Sequence, residues 1–302
     1  MQRTANPCTP VRFRPQPPFS IMKISIIGFG FVGKAIANAL KGSFELQKID
    51  PILKTTTEEL KDFKPNIIFI CVPTPMKKDG KQDIEILRNI IERISSYNLN
   101  SLVVVKSTIL PTYVSELENV LPNFVYNPEF LREKHAEEDF INSKIIVFGG
   151  KEESTHMLAK FYDDYLMCKC EDYIFTDTIT ASFTKYIINS FLATKVIFFN
   201  EFYQLFKLSN SKESWSNLIE ILTKDERIGS SHMDVPGHDG RFGFGGACLP
   251  KDSKAILNYS ETLGKDLAVL KTAIKINNKI RASYNKNTKR EDEQNIFFED
   301  ID

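Results

Sequence analysis

A single cysteine in a glycine-rich segment is the residue best suited to covalent chemistry in this chain. Cys248 lies in FGFGGACLPKD, residues 242–252, just before a predicted helix. A helix N-terminus and the neighbouring Lys251 both stabilise a thiolate, so we expect a lowered pKa for Cys248. The alternative is a buried structural cysteine. Burial alone does not explain the flanking Gly245 and Gly246, which would let a substrate approach the backbone.

Two pairs of polar residues have spacings that suit work beside such a thiolate. Lys185 and Asn189 are four residues apart on a predicted long helix, so they share a face from which they can donate hydrogen bonds to an oxyanion. Glu129 and Glu133, in NPEFLRE, follow a predicted strand, and one carboxylate could activate water while the other contacts a cofactor or substrate. Taken alone, the first pair also fits a solvated helix edge and the second an acidic helix N-terminus.

A glycine motif near the N-terminus predicts a dinucleotide site. It directly follows the apolar run KISII and opens a helix, which is the context that makes GxGxxG specific. Gly28 permits a tight turn, Gly30 lets the backbone approach a pyrophosphate, and Gly33 lets helix and strand pack closely. Asp50 ends the next predicted strand, where a carboxylate accepts hydrogen bonds from ribose hydroxyls and repels a 2′-phosphate. The sequence therefore predicts NAD as cofactor, bound by Gly28, Phe29, Gly30, Phe31, Val32, Gly33 and Asp50.

The elements that must position these residues follow an α/β pattern. Short strands that are apolar throughout alternate with helical stretches, which is typical of a Rossmann-type, doubly wound parallel sheet with both faces covered. The strands are predicted at residues 23–28, 44–50, 66–72, 101–106, 124–126 and 144–148. Ligands bind at the carboxyl ends of such strands, so we also expect contacts to the nicotinamide half from the loops 72–75, with Thr74, and 106–108, with Thr108.

The pattern changes to helices alone near residue 177. A helix is predicted from Asp177 to about Leu208, and three shorter helices follow in an all-helical middle domain. We predict a disordered extension at 1–21, an NAD-binding domain at 22–176, a helical catalytic and dimerisation domain at 177–283, and a polar, frayed tail at 284–302. The long helix is apolar enough to pair with a copy of itself, so a homodimer is expected.

Composition sets the class of protein but no specific function. The 42% apolar and 26% charged residues, with equal numbers of acidic and basic groups, favour neither nucleic acid nor a membrane as partner. No apolar run reaches the ~18 residues of a membrane span. The five cysteines form no C-x-x-C pair, which argues for a reducing, cytoplasmic location. Cys168 and Cys170 lack partner ligands, so no metal site is predicted.

Taken in order, these motifs resemble the UDP-glucose/GDP-mannose dehydrogenase family, whose members use NAD to convert a nucleotide-sugar alcohol to a uronic acid. The matching segments are GFGFVG, the acidic Asp50, CVPTP, KSTILP, YNPEFLRE, KYIIN and FGFGGACLPKD, between Met22 and about Arg281. Members of the family normally continue into a third, nucleotide-binding domain. We therefore expect a short form in which part of the nucleotide-binding site is missing or is supplied by another chain.

The resemblance implies a role for each matching residue. Cys248 resembles the nucleophile, Glu129 the residue that helps to hydrolyse a thioester, and Asp252 an acid that assists base catalysis. Lys185 and Asn189 resemble the oxyanion pair. Cofactor contacts are implied for Thr108, Glu133 and Lys251. Substrate contacts are implied for Phe130, Leu131, Gly237, His238, Asp239, Gly240, Arg241 and Gly245, and for Arg227, which would reach across a dimer.

Two other functions remain open at this stage. A β-hydroxyacid dehydrogenase also joins a Rossmann domain to helices that carry a lysine and an asparagine, but that family uses no thiol. A non-catalytic protein that binds NAD or a sugar nucleotide is the second, although every residue needed for the chemistry is present.

Overall fold

The computed structural model describes residues 21–77, 79–170 and 172–298. The disorder predicted for residues 1–21 falls almost wholly outside these ranges. In the described residues, no helix is both long and apolar enough to cross a membrane.

A seven-stranded sheet forms the first part of the chain. Its strands are β1 (Met22–Ile27), β2 (Phe44–Ile49), β3 (Ile67–Ile70), β4 (Leu102–Val105), β5 (Phe124–Tyr126), β6 (Ile146–Gly150) and β7 (Tyr173–Thr176). They lie in the order β2-β1-β3-β4-β5-β6-β7. β1 to β5 are parallel, whereas β6 runs antiparallel to β5, and β7 runs parallel to β6. The predicted doubly wound sheet is confirmed, except that β6 runs antiparallel to β5; β7 is a further strand that the sequence did not predict.

Burial explains why the central strands are apolar throughout. Every residue of β3 and β4 is buried, because successive side chains point to opposite faces and both faces are covered. Phe69 and Val104 lie in the core on one face, and Ile68 and Val105 in the core on the other. Because β1, β3, β4 and β5 run parallel, their carboxyl ends lie together on one edge of the sheet. Ligands bind at this edge in this class of fold.

Eleven helices are assigned in the described residues. They are α1 (Phe31–Ala39), α2 (Leu60–Phe63), α3 (Glu85–Ser96), α4 (Pro111–Glu118), α5 (Ala136–Ile141), α6 (Glu152–Tyr165), α7 (Thr178–Leu208), α8 (Trp215–Leu222), α9 (Leu249–Thr262), α10 (Ala268–Ala282) and α11 (Lys289–Glu293). The last five form the helical part that follows the sheet.

Helix α7 joins the sheet to the helical part. Asp177, where the sequence predicts the helix to begin, caps it by accepting a hydrogen bond from the Thr180 N–H at 2.8 Å. Near its start α7 packs closely on β6, since a Cβ on Gly149 would come within 2.7 Å of Ala181 Cβ. Farther along, α7 packs against α9 and α10. One continuous helix therefore belongs to both parts of the molecule.

The C-terminal segment was predicted to be frayed, but residues 284–298 are ordered in the structure. The Thr288 N–H donates to Glu291 Oε2 at 2.6 Å, which closes the first turn of α11. Glu291 is fully buried, and Ile296 is 1% exposed. A buried partner, Arg281 of α10, draws the carboxylate of Glu291 inward, so a polar stretch docks on the helical part. Residues 299–302 lie outside the described ranges.

Candidate active site

Cys248 lies at the N-terminal end of α9, as its sequence context predicts. It is the residue that precedes the first turn, and its carbonyl accepts a hydrogen bond from the Asp252 N–H at 2.9 Å. The preceding loop turns at Gly243 and Gly246, whose φ angles of 73° and 78° favour glycine. The residue as a whole is half-buried.

The other four predicted catalytic residues come together in one buried group. Lys185 of α7 donates from Nζ to the Glu129 carbonyl oxygen at 2.5 Å and lies 3.3 Å from Glu129 Oε1. Asn189, one turn further along α7, donates from Nδ2 to Asp252 Oδ2 at 2.6 Å. The charges of Lys185, Glu129 and Asp252 all act on the Cys248 thiol. Residues from α7, α9 and the loop after β5 thus form a single electrostatic site.

The thiol is not held as a thiolate in this state, contrary to the sequence prediction. Burial raises the pKa of Cys248 to about 11, and the negative charges of Asp252 and Glu129 raise it further. Lys185 and Lys251 act in the opposite sense but are outweighed. The helix N-terminus and the neighbouring lysine were identified correctly from the sequence. The desolvation and the two acids depend on the tertiary fold, so local spacing could not show them.

Lys185 remains a cation in this environment. Burial acts to lower its pKa, but the negative charges of Glu129, the Cys248 thiolate form and Asp252 outweigh burial, and the pKa is raised. A protonated lysine can donate hydrogen bonds to a developing oxyanion, which is the role predicted for it.

The glycine motif forms a cradle that fits a dinucleotide. Gly28 has φ +88°, and a Cβ there would lie 2.7 Å from the Cys71 carbonyl oxygen; a Cβ on Gly33 would collide with the Gly28 carbonyl oxygen. Nothing lies within 4 Å of the Cβ position of Gly30, so that side is open. Helix α1 begins next to Gly30 without a side-chain cap or an acidic residue in its first turn. Its N–H groups are therefore available to a pyrophosphate.

Asp50 lies beside this cradle at the end of β2. Its Oδ2 accepts a hydrogen bond from the Phe29 N–H at 2.7 Å, and its Oδ1 accepts one from the Ile52 N–H at 2.9 Å. Each carboxylate oxygen keeps a lone pair for a ribose hydroxyl. Asp50 thus lies against the glycine turn, and its predicted contact with the ribose remains a prediction.

Three of the remaining predicted cofactor residues, Thr74, Glu133 and Lys251, have side chains that are paired with other groups of the protein. The Thr74 hydroxyl is buried and donates to the Thr108 carbonyl oxygen at 2.8 Å, so it joins the two loops to each other and is not free to donate to nicotinamide. Glu133 is partly exposed and pairs with Arg290 Nε at 2.8 Å. Lys251 is buried and pairs with Asp252 Oδ1 at 2.5 Å. Cofactor contacts of Thr108, Glu133 and Lys251 remain predictions.

The predicted substrate residues form two groups, of which one adjoins the catalytic cluster. The Leu131 N–H donates to Glu129 Oε2 at 2.6 Å, and Lys185 Nζ lies 5.4 Å from the centre of the Phe130 ring. Residues 237–241 instead form a separate tight turn, closed by the Gly237 N–H on the Arg241 carbonyl oxygen at 2.8 Å. His238 and Gly240 are exposed there, and Asp239 pairs with Arg281.

Arg227 lies outside both groups in the single chain. Its guanidinium is largely exposed and pairs with Asp225 of the same loop.

Sequence reasoning placed Lys106 in a loop expected to contact the cofactor but did not predict that this lysine is buried. Lys106 Nζ donates to Asn127 Oδ1 at 2.8 Å, and burial lowers its pKa to about 8. It follows β4 in the KST segment, and its apolar neighbours in the sequence were the only available signal.

Comparison with known proteins gives the family. The model of the UDP-glucose/GDP-mannose dehydrogenase NAD-binding domain matches residues 46–166, and that of the family's central domain matches residues 179–279. The chain belongs to this family, so the resemblance drawn from the motifs and the prediction of NAD as cofactor are confirmed. The first match begins after the glycine motif, so the assignment of Gly28 to Gly33 relies on the geometry above.

Individual proteins that are similar in sequence to this chain are dehydrogenases of the same family. The chain is 37% identical over 219 residues to UDP-glucose 6-dehydrogenase of Rickettsia felis, covering 70% of this chain and 47% of that protein. It is 30% identical over 309 residues to UDP-glucose 6-dehydrogenase YwqF of Bacillus subtilis, covering 86% and 67%. The chain therefore spans about half the length of the Rickettsia relative.

Solved structures support the fold. The structure of a UDP-glucose dehydrogenase from Pyrobaculum islandicum matches with a TM-score of 0.70 and 25% identity, covering 88% of this chain and 70% of that one. A 3-hydroxyisobutyrate dehydrogenase from Mycobacterium tuberculosis matches with a TM-score of 0.65 at 18% identity, covering 92% and 97%. This second likeness concerns the fold alone.

Proposed function

We propose that this protein oxidises the C6 alcohol of a nucleotide sugar to the uronic acid, with NAD as oxidant and Cys248 as covalent nucleophile. The observation that carries the proposal is the convergence of Lys185, Asn189, Glu129 and Asp252 on a thiol at a helix N-terminus. UDP-glucose is the first substrate to test, since the relatives named above are UDP-glucose dehydrogenases.

The covalent sequence assigns a task to each residue. When bound, NAD⁺ would accept the hydride that leaves C6 in each of the two oxidations. In the first, the hydroxyl proton leaves to solvent as the alcohol becomes the aldehyde. After the first, the Cys248 sulfur loses its proton and forms a C–S bond to the aldehyde carbon. The aldehyde oxygen becomes an alkoxide, which the Lys185 ammonium and the Asn189 amide stabilise. Loss of the second hydride from the same carbon leaves a thioester. Water, oriented by Glu129, then adds, the C–S bond breaks, and the acid and the thiolate separate.

The raised pKa of Cys248 gives the charged neighbours a specific part in this scheme. At neutral pH the resting thiol is protonated, so attack requires a proton acceptor and compensating positive charge. Lys185 and Lys251 supply the charge, since both favour the thiolate. Asp252, held by Lys251 and Asn189, is the acid closest in sequence to the thiol and is proposed to assist in the proton transfer.

We also propose that the protein is a homodimer paired through α7. Large apolar side chains recur at helical spacing on its outer face and are exposed: Ile179, Phe183, Ile187, Phe191, Phe198, Phe202 and Leu205. A second copy of the same helix would cover this stripe. The dimer would also give Arg227 a route to a substrate. The four free thiols of the described residues accord with a reducing, cytoplasmic location.

The decisive variant is C248S. We expect it to bind NAD and UDP-glucose, measured by calorimetry, but to form no uronic acid. The wild-type protein should produce two NADH for each sugar consumed, and C71S, which alters a different thiol, should retain that ratio. Acid formation by C248S at the wild-type rate would exclude the covalent step. Turnover of 3-hydroxy acids but not of nucleotide sugars would favour the β-hydroxyacid dehydrogenase function.

A further inference from the structure

A buried ion pair lies directly beneath the glycine loop that carries Cys248. Arg281 NH2 and Glu291 Oε1 are 2.6 Å apart, and both side chains are completely buried. The same carboxylate oxygen accepts a hydrogen bond from the Gly246 N–H at 3.2 Å. Glu291 thus connects α11 to a backbone position two residues before the thiol.

The pair also accounts for one of the loop glycines. A Cβ on Gly245 would collide with the Arg281 guanidinium and with Glu291 Oε1. Gly246, by contrast, has open space at its Cβ position and is constrained by its φ angle of 78°. Gly245 is therefore required by the pair packed against it, and of the two glycines only Gly246 leaves room for a substrate to approach.

Further contacts fix both ends of this arrangement. Arg281 NH1 lies 2.8 Å from Asp239 Oδ2, so the same guanidinium also holds the turn 237–241, which directly precedes the glycine-rich segment. On the other side of α11, the Met76 N–H donates to the Gln294 carbonyl oxygen and Asn295 Nδ2 donates to the Met76 carbonyl oxygen, each at 3.2 Å. Because α11 is held from two sides, Glu291 has a fixed position, and its hydrogen bond to Gly246 fixes the loop in turn.

We propose that Glu291 is a positioning residue for Cys248: through Gly246 and Arg281 it holds the loop so that the thiol faces Lys185 and Asp252. Glu291 and Arg281 both lie beyond residue 279, where the match to the model of the family's central domain ends. Its effect on turnover rests on the proposed function, whereas its effect on the thiol does not.

The test is the rate at which iodoacetamide alkylates Cys248 relative to Cys71 at pH 8, measured by peptide mass spectrometry in E291A, E291Q and D292N. Asp292 is the neighbouring exposed carboxylate, so D292N is the matched control. In E291A the loop loses its anchor, and the thiol moves toward solvent and away from the acids. Alkylation of Cys248 should then rise at least tenfold, while Cys71 stays protected. E291Q keeps an acceptor for the Gly246 N–H but loses the ion pair, so we expect an increase of about threefold.

Turnover supplies the second measurement. E291A should lower kcat tenfold or more with an unchanged Kd for NAD, whereas D292N should match the wild type in both. If the ratio of Cys248 to Cys71 alkylation in E291A equals that in D292N, the proposal is wrong, whatever activity is found. If E291A unfolds, all its thiols will react alike, and E291Q then provides the test. An alkylation rate of Cys248 in E291Q that is no higher than in D292N would overturn the proposal. A changed ratio in a protein without dehydrogenase activity would instead overturn the proposed function alone.

Discussion

Cys248 should titrate far above the range of an activated cysteine, because burial and two acids oppose its ionisation. A pKa near 11, against an ordinary value of 9.0, favours the neutral thiol at every pH below 11. At pH 8 the thiolate fraction falls from about one in ten to about one in a thousand. Since only the thiolate is alkylated, Cys248 should react ~100-fold more slowly than an unhindered cysteine, and its rate should climb tenfold per pH unit up to the midpoint.

The measurement follows carbamidomethylation of the tryptic peptide 242–251 between pH 7 and 10.5. Cys71 is an internal reference, since burial raises its pKa to about 12 and it should react more slowly still. D252N should lower the midpoint of Cys248, because the charge of Asp252 raises the pKa. K185M should raise it, because the lysine charge acts in the opposite sense. A wild-type midpoint at or below 9, or movement of the two variants in the reverse directions, would refute the reasoning.

Three further outcomes are expected from single substitutions. D50A should lose preference for NAD over NADP by ~10- to 100-fold in kcat/KM, since charge-assisted hydrogen bonds contribute ~1.5–3 kcal/mol; an unchanged ratio would contradict the ribose assignment. G33A should lower the free energy of unfolding by ~1–3 kcal/mol in urea, because its Cβ would collide with the Gly28 carbonyl oxygen, and wild-type stability would contradict the tight packing. F191E should give a monomer by light scattering, because it places a charge in the exposed apolar stripe of α7; a dimer of unchanged mass would place the interface elsewhere.

The parts of the fold that local patterns encode were predictable. The sequence located β1 to β6 within a few residues. For the central β3 and β4 the signal was strongest, because strands buried on both faces must be apolar at every position. The helix predicted from Asp177 to about Leu208 is found as α7 (Thr178–Leu208), because that stretch contains no strong helix breaker. The group of Lys185, Asn189 and Cys248 was predicted from the family resemblance, and the structure places these residues together.

Other features depend on partners that lie far away in the sequence. The run that forms β6 has the same composition whichever way it points, so its reversal against β5 was not visible. β7 was missed because it is short and two of its four residues are exposed. The segment around Glu291 is polar, and its pairing with Arg281 and the contacts of Gln294 and Asn295 with the distant Met76 order it. The pKa of Cys248 was misjudged for the same reason, since its acids come from distant elements.

The reversal of the last two strands has a consequence for tolerance to insertions. Because β7 ends at the sheet edge opposite the ligand edge, α7 must run back alongside the sheet before it can present Lys185 to the loop after β5. Ser182 fixes the position of α7 along the sheet, because its hydroxyl donates a hydrogen bond to the Ile109 carbonyl oxygen at 2.7 Å. One extra residue between Ser182 and Lys185 would rotate all later side chains by about 100° and advance them by about 1.5 Å. The helix therefore acts as a fixed-length spacer, and homologues should vary in length in loops rather than within this stretch.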